Sequence, residues 1–334
     1  MKVMTAADRI AIAPALSLSP IGCGTWAWGN RLLWGYDTSM DAQLESTFQR
    51  CLAKGITWFD TGDSYGTGRL NGRSEQLLGE FAGAYTGPNL DALCIATKLA
   101  VYPWRLTRQS LVAACMKSSR RLGRPVDLAQ LHWSPKNYLP WQEGPLLDGL
   151  AELWDRGLVK AIGLSNYGPI ALRRVHKRFS EQGIPLATLQ VQYSLLATAT
   201  VSELDIKAVC DELGVRLIAY SPLTLGLLTG KYDRTNLPGG LRSWLFRRLL
   251  PGAKPLLDCQ RAIANARGKT MAQVALNWCV CKGTIPIPGA KHPAQATDNL
   301  GALGWSLDAG EIEDLDRAAA RVKRPMMQNI FQTR

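Results

Sequence analysis

Short apolar runs alternate along the chain with longer stretches in which apolar residues recur at helical spacing. Eight runs have the length of buried strands: residues 20–24, 56–60, 93–98, 127–133, 160–166, 186–193, 215–220 and 284–289. The longer stretches predict helices over 41–54, 74–81, 107–122, 145–156, 170–181, 202–213 and 271–282, with an eighth from about 293 to 303. The order of these elements predicts eight successive strand–helix units.

Repeated strand–helix units without long polar linkers favour parallel strands joined by crossover helices, and eight such strands close a barrel. The segments "RIAIAP" and "LSLS" near the start predict a hairpin that caps the barrel floor. Near the end, Asp308–Val322 predicts an extra helix with acidic residues in its first turn. We therefore predict an α/β fold, a (β/α)8 TIM barrel with an N-terminal β-hairpin cap and a C-terminal extra helix, as a single domain over residues 1–334.

One short motif favours a different fold, the doubly wound dinucleotide-binding sheet. Residues 22–27, "GCGTWA", match the loose pattern G-x-G-x-x-A. That motif requires a helix to begin at once. The following "WGNRLLWGYDTS" instead contains glycines and aromatic residues and no helix start, so we reject this alternative.

The composition is that of a globular enzyme with a positive field. Hydrophobic residues make up 46% of the chain and charged residues 20%, and the net charge is +12. The Lys and Arg residues are spread along the chain and do not interleave with aromatic residues, which argues against a nucleic-acid-binding surface. An anionic cofactor or substrate accounts for the positive charge.

Cysteine usage and the N-terminal region indicate where the protein works. The eight cysteines show neither disulfide nor zinc spacing, so we expect free thiols, a reducing cytoplasmic location and no metal. The uncharged run from Ile10 to Asn30 contains Pro14, Pro20 and several glycines, which makes it a poor membrane span and a poor signal sequence. We expect a soluble monomer with no membrane partner.

Polar side chains stand at the ends of six consecutive predicted strands, where such barrels carry their chemistry. The stretch "WFDTGDSYG" ends the second strand at Asp60 and places Tyr65 in the following loop. The later strand ends supply Lys98, His132, Ser165, Asn166, Gln190, Tyr220 and Ser221. Each of these residues has an ordinary structural interpretation, such as a core histidine or an exposed tyrosine. Their shared position in the fold favours one common site.

The motifs around these positions resemble the aldo-keto reductase superfamily. They are "FDTGDSYG", "ATK", "LHW", "GLSNY", "QVQYS", "AYSPL" and "IPIPGAKHPAQATDNL", in family order, and the resemblance extends from about Leu16 to Val322. The stretches "RGLVKAIGLSNYG", "ELGVRLIAYSPLTLGLLTGKY" and "VALNWCV" are most similar to a cyanobacterial and chloroplast branch that includes plant pyridoxal reductase-like proteins. The resemblance implies a reductase that transfers a hydride from NADPH to the carbonyl of an aldehyde or ketone.

The resemblance also implies that Asp60, Tyr65, Lys98 and His132 form a catalytic tetrad. Tyr65 would be the general acid, although a free tyrosine with a pKa of about 10 is a reluctant proton donor. Lys98 would lower that pKa by favouring the phenolate, and Asp60 would hold Lys98 charged and oriented. His132 would be neutral and would hydrogen-bond the carbonyl oxygen of the substrate.

The same resemblance implies a site for NADPH. In the family pattern Tyr220 stacks on the nicotinamide ring. The other contacts are Ser165, Asn166 and Gln190 at its carboxamide, Gly24, Thr25 and Trp26 beside the first strand, Ser221, Leu223 and Gly226 at the pyrophosphate, and Lys291, Gln295, Asp298 and Asn299 around the adenosine 2′-phosphate and the adenine. Many relatives carry arginine at the position of Gln295, so Lys291 is the one cation of this motif.

Two further questions stay open at the level of sequence. The basic segment 225–255 is either a solvated loop or a lid that places Arg242, Arg247 or Arg248 on the cofactor phosphates. The substrate is open among pyridoxal, other aromatic aldehydes and small reactive carbonyls. Candidates for an aromatic mouth are Trp26, Trp28, Trp34, Tyr36, Trp104 and Trp133.

Two other functions are compatible with the pattern. Some relatives serve as nicotinamide-sensing subunits of ion channels, which makes a binding subunit with little turnover an alternative. A barrel lyase with Lys98 as a Schiff-base amine is the second, although it leaves Tyr65 without a task. Slow turnover despite tight cofactor binding would favour the first, and borohydride trapping of a substrate on Lys98 the second.

Overall fold

The computed structural model describes residues 2–199, 204–323, 325–327 and 329–333. Two strands, β1 (Ile10–Ala13) and β2 (Leu16–Leu18), pair antiparallel as a hairpin. Eight parallel strands form the second sheet: β3 (Cys23–Gly24), β4 (Trp58–Asp60), β5 (Cys94–Leu99), β6 (Leu128–Leu131), β7 (Ala161–Ser165), β8 (Leu186–Gln192), β9 (Arg216–Tyr220) and β10 (Ile285–Ile287). These strands lie side by side in chain order, and a bridge between Gly24 and Gly289 joins the two ends of the sheet. The predicted eight-stranded barrel is therefore confirmed.

Helices follow the barrel strands on the outside. The described residues contain α1 (Arg31–Trp34), α2 (Asp41–Ala53), α3 (Arg73–Ala84), α4 (Arg108–Leu122), α5 (Pro140–Asp155), α6 (Pro169–Ser180), α7 (Ile206–Glu212), α8 (Leu241–Arg267), α9 (Met271–Cys281), α10 (Pro293–Leu300) and α11 (Ala309–Ala320). The terminal helix α11 is capped by Asp308, whose side chain accepts the Glu311 N–H as its acidic start predicts. The predicted helix over 202–213 corresponds to α7, and residues 202 and 203 lie outside the described residues.

Three helices differ from the sequence prediction. The short helix α1 begins at Arg31, where no helix start was expected, because the Asn30 side chain accepts the Leu33 N–H as an N-cap. Helix α5 begins at Pro140, five residues before the predicted start, because proline suits the first position of a helix. Helix α8 was missed altogether, since residues 225–255 were expected to form a loop. It runs through Pro251 and Pro255, and its buried residues, among them Phe246 and Leu249, recur at helical spacing. Packing of this apolar face therefore outweighs the two internal prolines, and the interpretation of 241–255 as a loop is wrong.

The hairpin β1–β2 closes the floor of the barrel, as predicted. Ile12, Leu16 and Leu18 pack in one buried cluster with barrel residues such as Trp58 and Ile218. The Trp58 indole also explains the glycine of the "GCG" motif. A Cβ atom at Gly22 would lie 2.3 Å from a ring carbon of Trp58, so the absence of a side chain makes room for the core.

Three structural features of the described residues bear on the class of protein. None of their helices is long and apolar enough to cross a membrane. All eight cysteines are free thiols. No group of three or more His, Cys, Asp or Glu side chains in this part of the chain is arranged to hold a metal ion.

Candidate active site

A buried ion pair lies at the carboxyl ends of β4 and β5. The side chains of Lys98 and Asp60 are each 2% exposed, and the Lys98 ammonium donates to Asp60 Oδ2 and to the Thr61 carbonyl. The other carboxylate oxygen of Asp60 accepts from Gln130 Nε2 at 3.1 Å and from Gln190 Nε2 at 2.8 Å. Burial lowers the pKa of Lys98, and the charge of Asp60 opposes this shift. The pair is thus a fixed ammonium with a fully hydrogen-bonded carboxylate.

Tyr65 is positioned above this pair by the loop between β4 and α3. The Tyr65 N–H donates to the Gly62 carbonyl at 3.0 Å, and the Tyr65 carbonyl accepts the Gly72 N–H at 2.9 Å. Gly66 has a φ of 129°, and a Cβ there would lie 1.7 Å from the Leu70 carbonyl oxygen. Only glycine fits this turn, which fixes the backbone next to Tyr65.

Tyr65 and Lys98 are close to each other, but the pKa of the phenol does not shift as predicted. The Lys98 ammonium lies 4.9 Å from the centroid of the Tyr65 ring. Burial raises the pKa of Tyr65 well above its ordinary value of 10.0, and the charge of Asp60 raises it further. The expectation of a lowered pKa is wrong for the protein alone, because desolvation of the phenolate outweighs the effect of the ammonium. Tyr65 is consequently a fully protonated donor at neutral pH.

His132 completes this cluster from the residue after β6. Its ring centroid lies 5.9 Å from that of Tyr65. Burial and the nearby charge of Lys98 hold the pKa of His132 well below its ordinary value of 6.5. The imidazole is therefore neutral, as predicted. Its buried Nδ1 has no hydrogen-bond partner within the described residues.

The four side chains all line a cavity of about 640 Å³ at the carboxyl ends of the strands. The predicted cofactor residues that line the same cavity are Gly24, Thr25, Trp26, Ser165, Asn166, Gln190, Tyr220, Ser221, Leu223, Gly226, Lys291 and Gln295. Asp298 and Asn299 do not line it. The Asp298 carboxylate accepts from Thr270 Oγ1 and Gln273 Nε2, each at 2.9 Å, and Asn299 is buried.

Asn166 and Tyr220, which both line the cavity, are joined by a hydrogen bond. The Tyr220 hydroxyl donates to Asn166 Oδ1 at 2.9 Å and accepts from Asn329 Nδ2 at 3.0 Å. The Asn166 amide nitrogen donates to Ser165 Oγ and to the His132 carbonyl, each at 3.1 Å. The backbone of Asn166 is left-handed, with a φ of 60°, a conformation that asparagine tolerates better than most residues. These bonds fix the orientation of the Asn166 amide next to the His132 backbone.

A cluster of cations also lines the cavity. Arg242, Lys291 and Lys231 line it together with Trp34, whereas Arg247 and Arg248 do not. None of the three cations forms an ion pair with a carboxylate in the described residues, and Arg242 Nε is buried without a hydrogen-bond partner. Burial, together with the charges of Arg242 and Lys231, lowers the pKa of Lys291. Uncompensated positive charge in a cavity of this size fits a phosphate-bearing dinucleotide.

The sequence did not reveal the C-terminal part of the site. Met326, Asn329 and Phe331 line the cavity, and the Phe331 ring stacks on Trp133 with centroids 4.4 Å apart. These residues follow the last helix and carry no periodic or motif signal. Of the aromatic candidates, Trp26, Trp34 and Trp133 line the cavity. Trp28 and Tyr36 are buried in the core, and Trp104 is 74% exposed outside the cavity lining.

Comparisons with known proteins place the chain among reductases. The profile of the Aldo/keto reductase family matches residues 20–320. Chloroplastic pyridoxal reductase of Arabidopsis thaliana is 55% identical over 330 residues, which cover 98% of this chain and 90% of that protein. The structure of a glycerol dehydrogenase from Gluconobacter oxydans is 26% identical, with a TM-score of 0.79 over 98% of this chain and 99% of its own.

An aldo/keto reductase from Klebsiella pneumoniae, crystallised with NADP and acetate, is 25% identical, with a TM-score of 0.70 over 95% of this chain and 96% of its own. The profile match and the 55% identity each extend over most of the chain. A buried Lys–Asp pair, a tyrosine and a neutral histidine line one cavity of the structure. The protein therefore belongs to the aldo/keto reductase family, whose members are oxidoreductases that act on carbonyl groups.

Proposed function

We propose that the protein is an NADPH-dependent reductase of aldehydes or ketones in which Tyr65 is the general acid. One observation carries this proposal. The buried Lys98–Asp60 pair lies close to Tyr65 and to neutral His132, in a cavity that is also lined by three cations without a carboxylate partner among the described residues. A single dinucleotide can extend from the cations to the tetrad within one such cavity.

Each tetrad residue has a defined task in this reaction. When bound, the nicotinamide supplies the hydride for the carbonyl carbon. Tyr65 Oη donates a proton to the carbonyl oxygen, and the Lys98 ammonium stabilises the phenolate that remains after transfer. Asp60 keeps Lys98 charged against the effect of burial. Neutral His132 hydrogen-bonds the carbonyl oxygen and orients the substrate.

The cofactor contacts follow the cavity wall. We assign Ser165, Asn166 and Gln190 to the nicotinamide carboxamide and Tyr220 to stacking on its ring. Ser221, Leu223 and Gly226 are assigned to the pyrophosphate. Lys291, Lys231 and Arg242 form a cationic end suited to the 2′-phosphate, which favours NADPH over NADH. The assignment of the adenine to Asp298 and Asn299 gains no support from the cavity lining.

Pyridoxal is the substrate that we propose among the compatible carbonyls. The Arabidopsis relative at 55% identity is named a pyridoxal reductase. The aromatic side chains of Trp26, Trp133 and Phe331 line the cavity and suit a flat aromatic aldehyde.

Oxidation of NADPH and of NADH should be followed with pyridoxal, 4-nitrobenzaldehyde and methylglyoxal, in the wild type and in Tyr65→Phe. We expect pyridoxal with NADPH to give the highest kcat/KM. Tyr65→Phe should lower kcat by about 10²- to 10⁴-fold, the range of general acid catalysis, with cofactor affinity nearly unchanged. Turnover of Tyr65→Phe within tenfold of wild type would show that another group donates the proton. Tight cofactor binding with no turnover of any carbonyl would favour the nicotinamide-sensing alternative.

We also propose that the chain acts as one domain over residues 1–334, as a monomer, in the cytoplasm. Its eight free thiols suit a reducing compartment. The name of the Arabidopsis relative assigns that protein to the chloroplast. Elution of the purified protein at the size of a 36.6 kDa chain would support the monomer.

A further inference from the structure

Three neighbouring strands bring Trp34, Lys291 and Arg242 together. In the barrel, β10 lies between β9 on one side and β3, through the Gly24–Gly289 bridge, on the other. Trp34 follows β3, Arg242 follows β9, and Lys291 follows β10. The Arg242 guanidinium lies 4.4 Å from the centroid of the Trp34 ring, so the two outer segments meet above the exit of β10.

The Trp34 ring is the shared neighbour of two of the cations. The Lys291 ammonium lies 5.6 Å from the ring centroid and 3.4 Å from the Trp34 carbonyl oxygen. The negative face of an indole attracts cations, and here it partly compensates charges that have no carboxylate partner in the described residues. Repulsion from Arg242 and Lys231 nevertheless helps to lower the pKa of Lys291. The cluster is therefore still short of negative charge.

Two donors at this place have no acceptor within the part of the chain that the structure describes. They are Trp34 Nε1 and Arg242 Nε, and both atoms are buried. Buried N–H groups are almost always paired, so two orphaned donors in one cavity call for an acceptor that a ligand supplies. The Gln295 Oε1 acceptor, on the same cavity lining, is already engaged, because it accepts the Lys291 N–H at 2.8 Å.

The position of Trp34 is fixed by its surroundings. Helix α1 is held by Asn30, whose Oδ1 accepts the Leu33 N–H, and by Thr67, whose Oγ1 accepts the Arg31 N–H, each at 3.0 Å. Trp26 packs edge-on against the Trp34 ring with centroids 6.2 Å apart. The indole N–H is thus a preorganised donor.

We infer that Trp34 is a phosphate-binding residue, whose indole N–H donates to a cofactor phosphate held between Arg242 and Lys291. The inference rests on the proposed use of a nicotinamide dinucleotide. The phosphate is either the 2′-phosphate or the pyrophosphate, and binding measurements separate the two.

The first experiment is equilibrium binding of NADP⁺, NAD⁺ and 2′,5′-ADP by calorimetry. Trp34→Phe keeps a smaller aromatic face for the cations and removes the N–H donor, and Trp34→Leu removes both the aromatic face and the donor. Loss of a hydrogen bond to a charged group should weaken binding by about 10- to 100-fold in Trp34→Phe. Weaker binding of NADP⁺ and 2′,5′-ADP alone assigns the donor to the 2′-phosphate, and weaker binding of NAD⁺ as well assigns it to the pyrophosphate. Trp244→Phe is the matched control, because Trp244 lies on α8, is 64% exposed and does not line the cavity.

The second experiment observes the indole N–H of Trp34 directly by NMR. The indole N–H resonance of Trp34 is identified in the ¹H–¹⁵N spectrum by its absence in Trp34→Phe. Addition of 2′,5′-ADP or of NADP⁺ should shift it downfield, as hydrogen bonding to a phosphate requires. An unshifted resonance together with unchanged affinity in Trp34→Phe overturns the inference and leaves the proposed function intact. Failure of the wild type to bind either dinucleotide overturns both.

Discussion

At the scale of single residues, the ion pair between Lys98 and Asp60 sets the chemistry of the cavity. It is the one pair in the described part of the chain whose two side chains are both almost fully buried, at 2% exposure each. Removing two charges from water makes such a pair costly. Hydrogen bonds from Gln130 and Gln190 to Asp60, and from Lys98 to the Thr61 carbonyl, offset this cost. The pair is therefore better explained by catalysis than by stability.

Asp60→Asn should destabilise the protein and inactivate it, because it leaves the Lys98 ammonium buried without its carboxylate. We expect a loss of about 3–5 kcal/mol in the free energy of unfolding. The double variant Asp60→Asn/Lys98→Met should recover most of this stability and none of the activity. Urea denaturation and initial rates of aldehyde reduction test the two parts separately. A double variant as unstable as Asp60→Asn would show that the buried charge is not the cause.

His132 should make the stability of the protein depend on pH. The pKa of His132 in the folded state lies well below its ordinary value of 6.5. Below about pH 6.5, His132 therefore binds a proton in the unfolded chain but not in the folded chain. The free energy of unfolding therefore falls as the pH drops below about 6.5, by up to ~1.4 kcal/mol per pH unit.

Thermal or urea denaturation at pH 7 and pH 5 measures this term. His132→Gln lacks the titrating group, so its stability should fall less between the two pH values than that of the wild type. Identical pH dependence in both proteins would mean that other groups, and not His132, account for the loss in acid.

At the scale of elements, the turn between β4 and α3 sets the position of Tyr65, the proposed general acid. Gly66→Ala would place a Cβ 1.7 Å from the Leu70 carbonyl oxygen, so the turn has to move and Tyr65 moves with it. We expect kcat/KM to fall by about 10²-fold, as a misplacement of about 1 Å does. Gly68→Ala is the matched control, because Gly68 also has a positive φ, of 57°, and its Cβ would meet nothing within 4 Å.

Gly68→Ala should cost only the intrinsic penalty of the left-handed backbone, about 1–2 kcal/mol, with activity close to wild type. Equal losses of activity in the two variants would indicate a general effect of alanine in this turn. The comparison requires kcat/KM for one aldehyde and the melting temperature of both variants.

Secondary structure was predictable from sequence where the apolar pattern and the end signals agree. The strand ending at Asp60 and the helix capped by Asp308 are examples, since local periodicity and capping are enough to define them. Helix α8 shows where prediction from these local signals fails. Pro251 and Pro255 are end signals in sequence, yet burial of residues such as Phe246 and Leu249 keeps the helix continuous. Tertiary packing decided between the two prolines and the apolar spacing, and this packing cannot be derived from the sequence alone.

At the scale of the whole molecule, the site combines residues with and without a local signal. Asp60, Lys98 and His132 were predictable because strand ends of a parallel barrel meet at one face. The packing of Arg242 and Lys291 against the Trp34 ring was not predictable, since it requires segments after different strands to meet above the barrel. The raised pKa of Tyr65 also depends on three-dimensional burial, which motif comparison does not measure.

The C-terminal segment should determine which carbonyls fit the finished cavity. The Thr333 hydroxyl accepts the Gly168 N–H at 2.9 Å, and the Thr333 N–H donates to the Asn166 carbonyl at 3.1 Å, so the segment is anchored beside the tetrad. Phe331 stacks on Trp133, with an angle of 14° between the rings. Together these contacts place an aromatic wall over one side of the cavity.

Phe331→Ala removes this wall without touching the tetrad. A lost aromatic contact is worth about 0.5–1.5 kcal/mol, so KM for pyridoxal should rise by roughly 2- to 13-fold with kcat little changed. Methylglyoxal has no ring, and its KM should stay the same. Ile330→Ala is the matched control, since Ile330 is the neighbouring residue and is 85% exposed. If KM rises equally for both aldehydes, or if Ile330→Ala has the same effect, the segment acts by general closure of the cavity, and Phe331 does not select aromatic substrates.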